Sequence, residues 1–396
     1  VELLAIKGGQ PIREELLPYG RHWINDEDIN AVIKVLKGDY LTTGPMIKEF
    51  EKSFAEKVNA EYAVAVSNGT AALHAACYAA GIREGDEVIT TPLTFAASAN
   101  CILYQGATPV FADIDPETYN IDIKEIEKKI TTKTKAIIPV DFTGQPVLID
   151  EIINLARRNN LIVIEDAAHS LGASYKNKKI GSIADMTEFS LHPVKHVTTG
   201  EGGVVTTNSK ELYDKLSLFR SHGITRDPNI MLANEGPWYY EQLELGFNYR
   251  MTDIQASLGI SQLNRLDSFV DRRKEIADKY NEAFKEMEEL ISPYQKEGCE
   301  SSWHLYIIQL KLEHLNASRK EIFEALRAEN IGVNVHYIPV YYLPYYHSLG
   351  YSKGICPNAE NLYERIITLP LYPMMSEDDI KDVIKAVKKV INYFRK

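Results

Sequence analysis

The sequence has no apolar run of the roughly 20 residues that a membrane span needs, and no signal peptide is visible. It has only four cysteines, Cys77, Cys101, Cys299 and Cys356, with no CxxC pair among them. That scatter excludes a zinc framework and a disulfide scaffold, so no metal site is expected and the thiols read as reduced, in a cytoplasmic protein. Basic residues are not in excess. The formal net charge is -11, which argues against a general nucleic-acid or membrane-surface binder, because both need a basic face. A local basic pocket for an anionic metabolite stays open. Internal repeats and low-complexity tracts are absent.

What is present is an ordinary globular composition, 45% hydrophobic and 25% charged over 396 residues, a length that suits a large domain with a smaller one. The first two thirds repeat one theme: a short apolar run, a small-residue turn, then a helical pattern. The runs are YAVAVS (62–67), DEVITT (86–91), TPVFADI (108–114), KAIIPVDF (135–142), LIVIED (161–166) and GGVVTTN (202–208). Strands alternating with helices predict an α/β fold with a mainly parallel central sheet, and near-continuous apolarity predicts helices on both faces. A charged helix over about 264–290 marks a change of character. It places a large domain at 1–265 and a smaller C-terminal α+β domain at 266–396. The last helix carries Ile380, Val383, Ile384, Val387, Val390, Ile391 and Phe394 at three-and-four spacing, with Ser376 placed to cap it.

Four features carry chemistry. In NGTAAL, Gly69 and Thr70 follow a buried strand and open a helix, which points free N–H groups at a phosphate; alone, this reads first as a strand-to-helix turn with a Thr cap. Asp166 ends LIVIED, where ligands gather in parallel sheets, although a helix cap would also place it there. His169 follows three residues later. Lys195 lies in SLHPVKHVTTGEGG (190–203), in a loop whose tight bends Gly200, Gly202 and Gly203 allow. Partial burial there would lower its pKa and free the amine to attack a carbonyl. Ser190 could reach a phosphate and Phe95 could cover a ring. The order of phosphate turn, stacking aromatic, strand-end carboxylate and loop lysine is the set that pyridoxal 5'-phosphate (PLP) requires.

With those motifs in view, the chain resembles the DegT/DnrJ/EryC1/StrS sugar-nucleotide aminotransferases, which have the type I PLP fold. The likeness runs from LPYGRHWI (17–24) and LTTGP (41–45) to LPLYP (369–373). It is carried by NGTAAL, TPLTFAASAN, IEDAAHSLGA, FSLHPVKHVTTGEGG, FRSHGITR and GFNYRMTDIQA. It implies that Lys195 bonds the cofactor and shuttles a proton, that Asp166 holds the pyridinium nitrogen, and that His169 sits near the phenolic oxygen. Phe95 would stack on the ring, with Gly69, Thr70 and Ser190 on the phosphate. Asn248 would be donated from the other subunit of a homodimer. For the nucleotide sugar it points to Tyr19, to Asp39, Tyr40, Leu41 and Thr42, and to His336, Tyr337, Ile338 and Pro339. Arg220, Arg226 and Arg250 are candidates for the diphosphate. A narrower likeness, in HPVKHVTTGEGG, VHYIPVYYLPYY and CPNAENLYERIITLPLYP, is to members that aminate C4 of a UDP-4-keto-6-deoxy-N-acetylhexosamine with L-glutamate, for pseudaminic acid or surface polysaccharide. Other keto-sugar transaminases are the alternative. Relatives that dehydrate at C3 carry His where this chain has Lys195, and nothing here looks like a DNA-binding appendage of a regulatory relative.

Overall fold

The computed structural model describes residues 2–396. Seven strands form the central sheet: β1 (Tyr62–Val66), β2 (Glu87–Thr90), β3 (Thr108–Phe111), β4 (Thr134–Ile138), β5 (Ile162–Asp166), β6 (Met186–Ser190) and β7 (Gly203–Thr207). Their spatial order is β1-β7-β6-β5-β4-β2-β3. β2, β3, β4, β5 and β6 pair in parallel, and β7 runs antiparallel to both β6 and β1. The alternation of side chains explains the apolar runs. Val64, Val66, Ala136, Ile138 and Ile164 pack on one face, while Ala63, Ala65, Ile89, Ile137 and Val163 pack on the other. Helices cover both, so neither set can be polar. The exception is β6, absent from the apolar runs because Thr187 and Glu188 interrupt it. It nevertheless occupies an interior position between β5 and β7.

Helix α1 (Gly69–Ala79) follows β1, and α2 (Ala97–Tyr104) follows β2. The long helix predicted near 264–290 is α3 (Leu266–Phe284), shorter at its C-terminal end. It bridges two cores: Leu266 and Phe269 pack with the large sheet, whereas Ile276, Tyr280 and Phe284 pack with the C-terminal elements. Those elements include the antiparallel strands β8 (Leu290–Ile291), β9 (Tyr306–Leu310) and β10 (Ile366–Leu369), and the final helix α4 (Glu377–Phe394). Ser376 caps α4, accepting from Asp379 N while the Asp379 carboxylate accepts from Ser376 N. Such a cap contributes about 1 kcal/mol. Leu4 and Leu17, early in the chain, also pack into this second core. We propose that the chain divides near Leu266, with the N-terminal strap lying on the smaller unit. Among the described residues, no helix is long and apolar enough to cross a membrane.

Candidate active site

The C-terminal ends of β1, β5 and β6 open onto one cavity of about 720 Å³. Ligands collect at such ends because strand termini and helix N-termini converge there. Asp166 closes β5. Its backbone is held to the neighbouring strand extension, N–H to Pro139 O at 2.9 Å and carbonyl from Asp141 N at 3.1 Å. Its side chain is fixed as well: Ser98 Oγ donates to Oδ2 at 2.6 Å and Ala168 N to Oδ1 at 3.2 Å. The carboxylate is buried but faces the cavity.

Lys195 lies in the loop joining β6 to β7. The loop is tied by Leu191 N to Gly202 O at 2.8 Å, Lys195 N to His192 O at 2.9 Å and Thr199 N to Leu191 O at 3.1 Å. The glycines do different jobs. Gly200 takes a positive φ of 80°, the left-handed region open to glycine. Gly203 permits close approach instead: a Cβ there would stand 2.4 Å from Asn68 O. That contact docks the lysine loop against the turn that opens α1. The Lys195 amine sits within the cavity wall with Asp166 and Glu188. Burial lowers it to about 8, although the Asp166 carboxylate pulls the other way.

The turn fits a phosphate. Asn68 Oδ1 accepts from Ala71 N at 2.8 Å and caps α1, and the N–H groups of the first turn at Gly69 and Thr70 have no preceding helical acceptor. A Cβ at Gly69 would stand 2.7 Å from Glu188 Oε1 and 3.0 Å from Ser190 Cβ, so a side chain there would crowd both residues. His169 Nε2 lies 3.1 Å from Tyr337 Oη, while its buried Nδ1 has no partner among the described residues. Burial, reinforced by the Lys195 charge, holds this imidazole neutral. Phosphate cradle, strand-end carboxylate, accessible amine and an orphaned imidazole nitrogen are the donor set that PLP needs, and the residues fit it.

Tyr19, His336 and Tyr337 form the rim. The Tyr19 and His336 rings are 5.4 Å apart, and His336 Nδ1 meets Thr368 Oγ1 at 2.9 Å. Burial lowers His336 to about 4. Phe95 also lines the cavity, 62% exposed and 6.3 Å from the Tyr337 ring.

Other expected contacts are not brought together within this chain. Asp39, Tyr40, Leu41 and Thr42 are exposed and lie outside the cavity wall, anchored by the Thr42–Thr252 bridge and by Asp253 N to Leu41 O. Asn248 is exposed and also outside it. Ile338 points to solvent and Pro339 is buried, and neither lines the cavity. Arg220 donates to Glu51 and to Ala65 O, which engages its guanidinium in the fold. Of the Tyr-rich run, Tyr341 and Tyr346 are core residues.

Two residues were missed. Ser98 stands three positions after Phe95 on the next helical turn, and its hydroxyl orients Asp166. Glu188 stands two before Ser190. The period-two alternation of a strand puts both on one face, a signal available once 186–190 is read as a strand.

Fold and donor set together define a PLP-dependent aminotransferase of fold type I. Residues 22–388 match the model of the "DegT/DnrJ/EryC1/StrS aminotransferase family". The chain is 45% identical to the spore coat polysaccharide biosynthesis protein SpsC of Bacillus subtilis over 96% of its length and 98% of that protein. It is 40% identical to a UDP-4-amino-4,6-dideoxy-N-acetyl-beta-L-altrosamine transaminase of Campylobacter jejuni, over 96% and 99% respectively. The solved structure of Helicobacter pylori PseC, an aminotransferase involved in pseudaminic acid biosynthesis, superimposes with a TM-score of 0.89 at 33% identity, covering 96% of this chain and all of that one. The chain belongs to the DegT/DnrJ/EryC1/StrS aminotransferase family, and its cofactor is PLP.

Proposed function

We propose that this enzyme moves the amino group of L-glutamate to C4 of a UDP-4-keto-6-deoxy-N-acetylhexosamine, in the making of pseudaminic acid or a related surface polysaccharide. The observation that carries the transfer chemistry is the placing of Lys195, Asp166 and the first turn of α1 around a single cavity. When bound, PLP supplies an aldehyde that holds the amino group and a ring that draws electrons from the carbon losing its proton. Asp166, fixed by Ser98 and Ala168 N, would pair with the ring nitrogen and keep it protonated. Gly69, Thr70 and Ser190 would hold the phosphate. Lys195 Nζ would bond the cofactor at rest and, once released, carry a proton as general acid and base. An amine with a pKa of about 8 suits both directions of that transfer near neutral pH. His169 would hold its neutral imidazole against the cofactor's phenolic oxygen, and Tyr19, His336 and Tyr337 would meet the sugar.

The site is read as shared between two subunits of a homodimer. Leu232 (93% exposed), Leu245 (77%) and Trp238 (70%) give the 230–247 segment an apolar surface of the kind that marks an interface. Asn248 follows directly and would reach the second copy's cavity. The likeness to SpsC supports a second reading, a keto-sugar transaminase for another coat polysaccharide. The experiment is to offer both C5 epimers of the UDP-4-keto-6-deoxy-N-acetylhexosamine with L-glutamate and assign the products by NMR. A 4-amino product with the altro configuration supports the first reading. Turnover only of a differently linked keto sugar supports the second, and no amino transfer to any keto sugar would remove both.

A further inference from the structure

Glu188 has no role in the account so far, yet it stands where its charge matters. It pairs with Asp166 in the β5–β6 register, is 1% exposed and lines the cavity. Its Oε1 is the atom nearest to the space a side chain at Gly69 would fill. Among the described residues, neither carboxyl oxygen finds a donor. An ionised carboxylate only accepts, so in that form it would be buried without a single hydrogen bond, a state folded proteins avoid. It would also stand beside a second negative charge, and two adjoining carboxylates do not both ionise. Asp166 is the member with donors already in place, from Ser98 and Ala168 N, so the pair's one negative charge belongs there. The charged groups that face Glu188 are Asp166 on β5 and Lys195 on the following loop. Burial, then the Asp166 charge, push its carboxyl well above the ordinary range.

We propose that Glu188 is a positioning residue for Asp166: it lies beneath the cofactor site as a neutral carboxylic acid and donates a hydrogen bond to the Asp166 carboxylate. That bond fixes the Asp166 carboxylate where it faces the PLP ring nitrogen, so the ring proton keeps a well-placed acceptor and stays on nitrogen. Nothing is transferred; the Glu188 proton remains on Glu188. The proposal rests on Asp166 being the ring-nitrogen partner.

The test uses holoenzyme carrying PLP labelled with 15N in the ring, and compares Glu188→Gln, Glu188→Ala and Asp166→Asn with the wild type. The nitrogen resonance reports ring protonation, and dialysis reports cofactor affinity. Glu188→Gln keeps shape, neutrality and a donor, so its resonance and affinity should stay close to wild type. Glu188→Ala removes the donor; its resonance should move toward that of unprotonated pyridine and its affinity should fall about tenfold, the loss expected for one charge-assisted hydrogen bond. Infrared spectra of the apoprotein should show a protonated-carboxyl band that Glu188→Gln lacks. A Gln variant as impaired as the Ala variant, absence of that band, or an Ala variant with wild-type resonance and affinity would each overturn the proposal. Should Glu188→Ala not fold, the Gln variant and the infrared band decide it alone. Asp166→Asn separates the two claims: if it leaves the ring resonance unmoved, the pairing of Asp166 with the ring is what fails.

Discussion

The inner wall of the cavity and its outer lip are built from opposite materials. On the inner wall, Asp166, Ser98, Glu188 and His169 are buried, and each sits on or beside a strand end or helix turn. Asp166 alone is held by two backbone and two side-chain hydrogen bonds. At the lip and beyond it, Tyr40, Phe95, Trp238 and Leu245 face solvent and belong to loops. The contrast follows from what each region does. Groups that steer a proton must be preorganised in a dry setting, because a misplaced dipole there has no water to compensate for it. Groups that receive a large sugar nucleotide or a second subunit have to stay open until it arrives. On the proposed reading, the chain carries the reaction centre itself and a second copy completes its rim.

The largest effect should come from removing the amine at the inner wall. Lys195→Ala should lower amino transfer by about a thousandfold or more, the scale of losing a general acid–base group, while cofactor still binds by dialysis. Asp166→Asn should come next. It replaces a charge-assisted hydrogen bond with a neutral one, so kcat should fall about ten- to a hundredfold with a small change in KM, measured in the NMR assay. The amine's own pKa gives a pH test. Below about 8 Lys195 is mostly protonated and cannot attack an aldehyde. The rate at which apoprotein captures PLP, followed by stopped-flow absorbance, should therefore climb about tenfold per pH unit and level off above about 8. A profile that levels off only near the ordinary lysine pKa would break the claim that the wall is dry.

The lip is tested by Leu245→Glu, which places a charge on the exposed apolar segment. Sedimentation should show dimer dissociation raised by at least about tenfold, with activity lost in step at low protein concentration. An unchanged dimer would show that the incomplete rim closes elsewhere. The smallest effect belongs to a region outside both: Ser376→Ala removes the α4 cap and should destabilise the chain by about 1 kcal/mol in denaturant unfolding without altering turnover.

The same contrast governs what could be read from sequence. Six of the seven central strands were legible because both faces are covered and their side chains are apolar. Lys195 and Asp166 stood out for another reason, since strand ends and glycine turns leave local signatures, and the structure brings the two to one cavity. β6 was not legible, since Thr187 and Glu188 break its apolar run, and with it went the buried acid beside Asp166. Ser98 was hidden because its role is a contact across 68 positions of chain, which no local pattern encodes. Asp39 to Thr42 were expected at the sugar, yet they stand outside this chain's own cavity; Asn248, expected at the second copy's site, stands outside it too.

The central claim is that one amine, Lys195, holds the cofactor. Borohydride reduction of the purified holoenzyme, followed by digestion and mass spectrometry, tests it directly. The account predicts a single phosphopyridoxyl label, on Lys195. A label on any other lysine, or none on protein shown by absorbance to contain PLP, would contradict it.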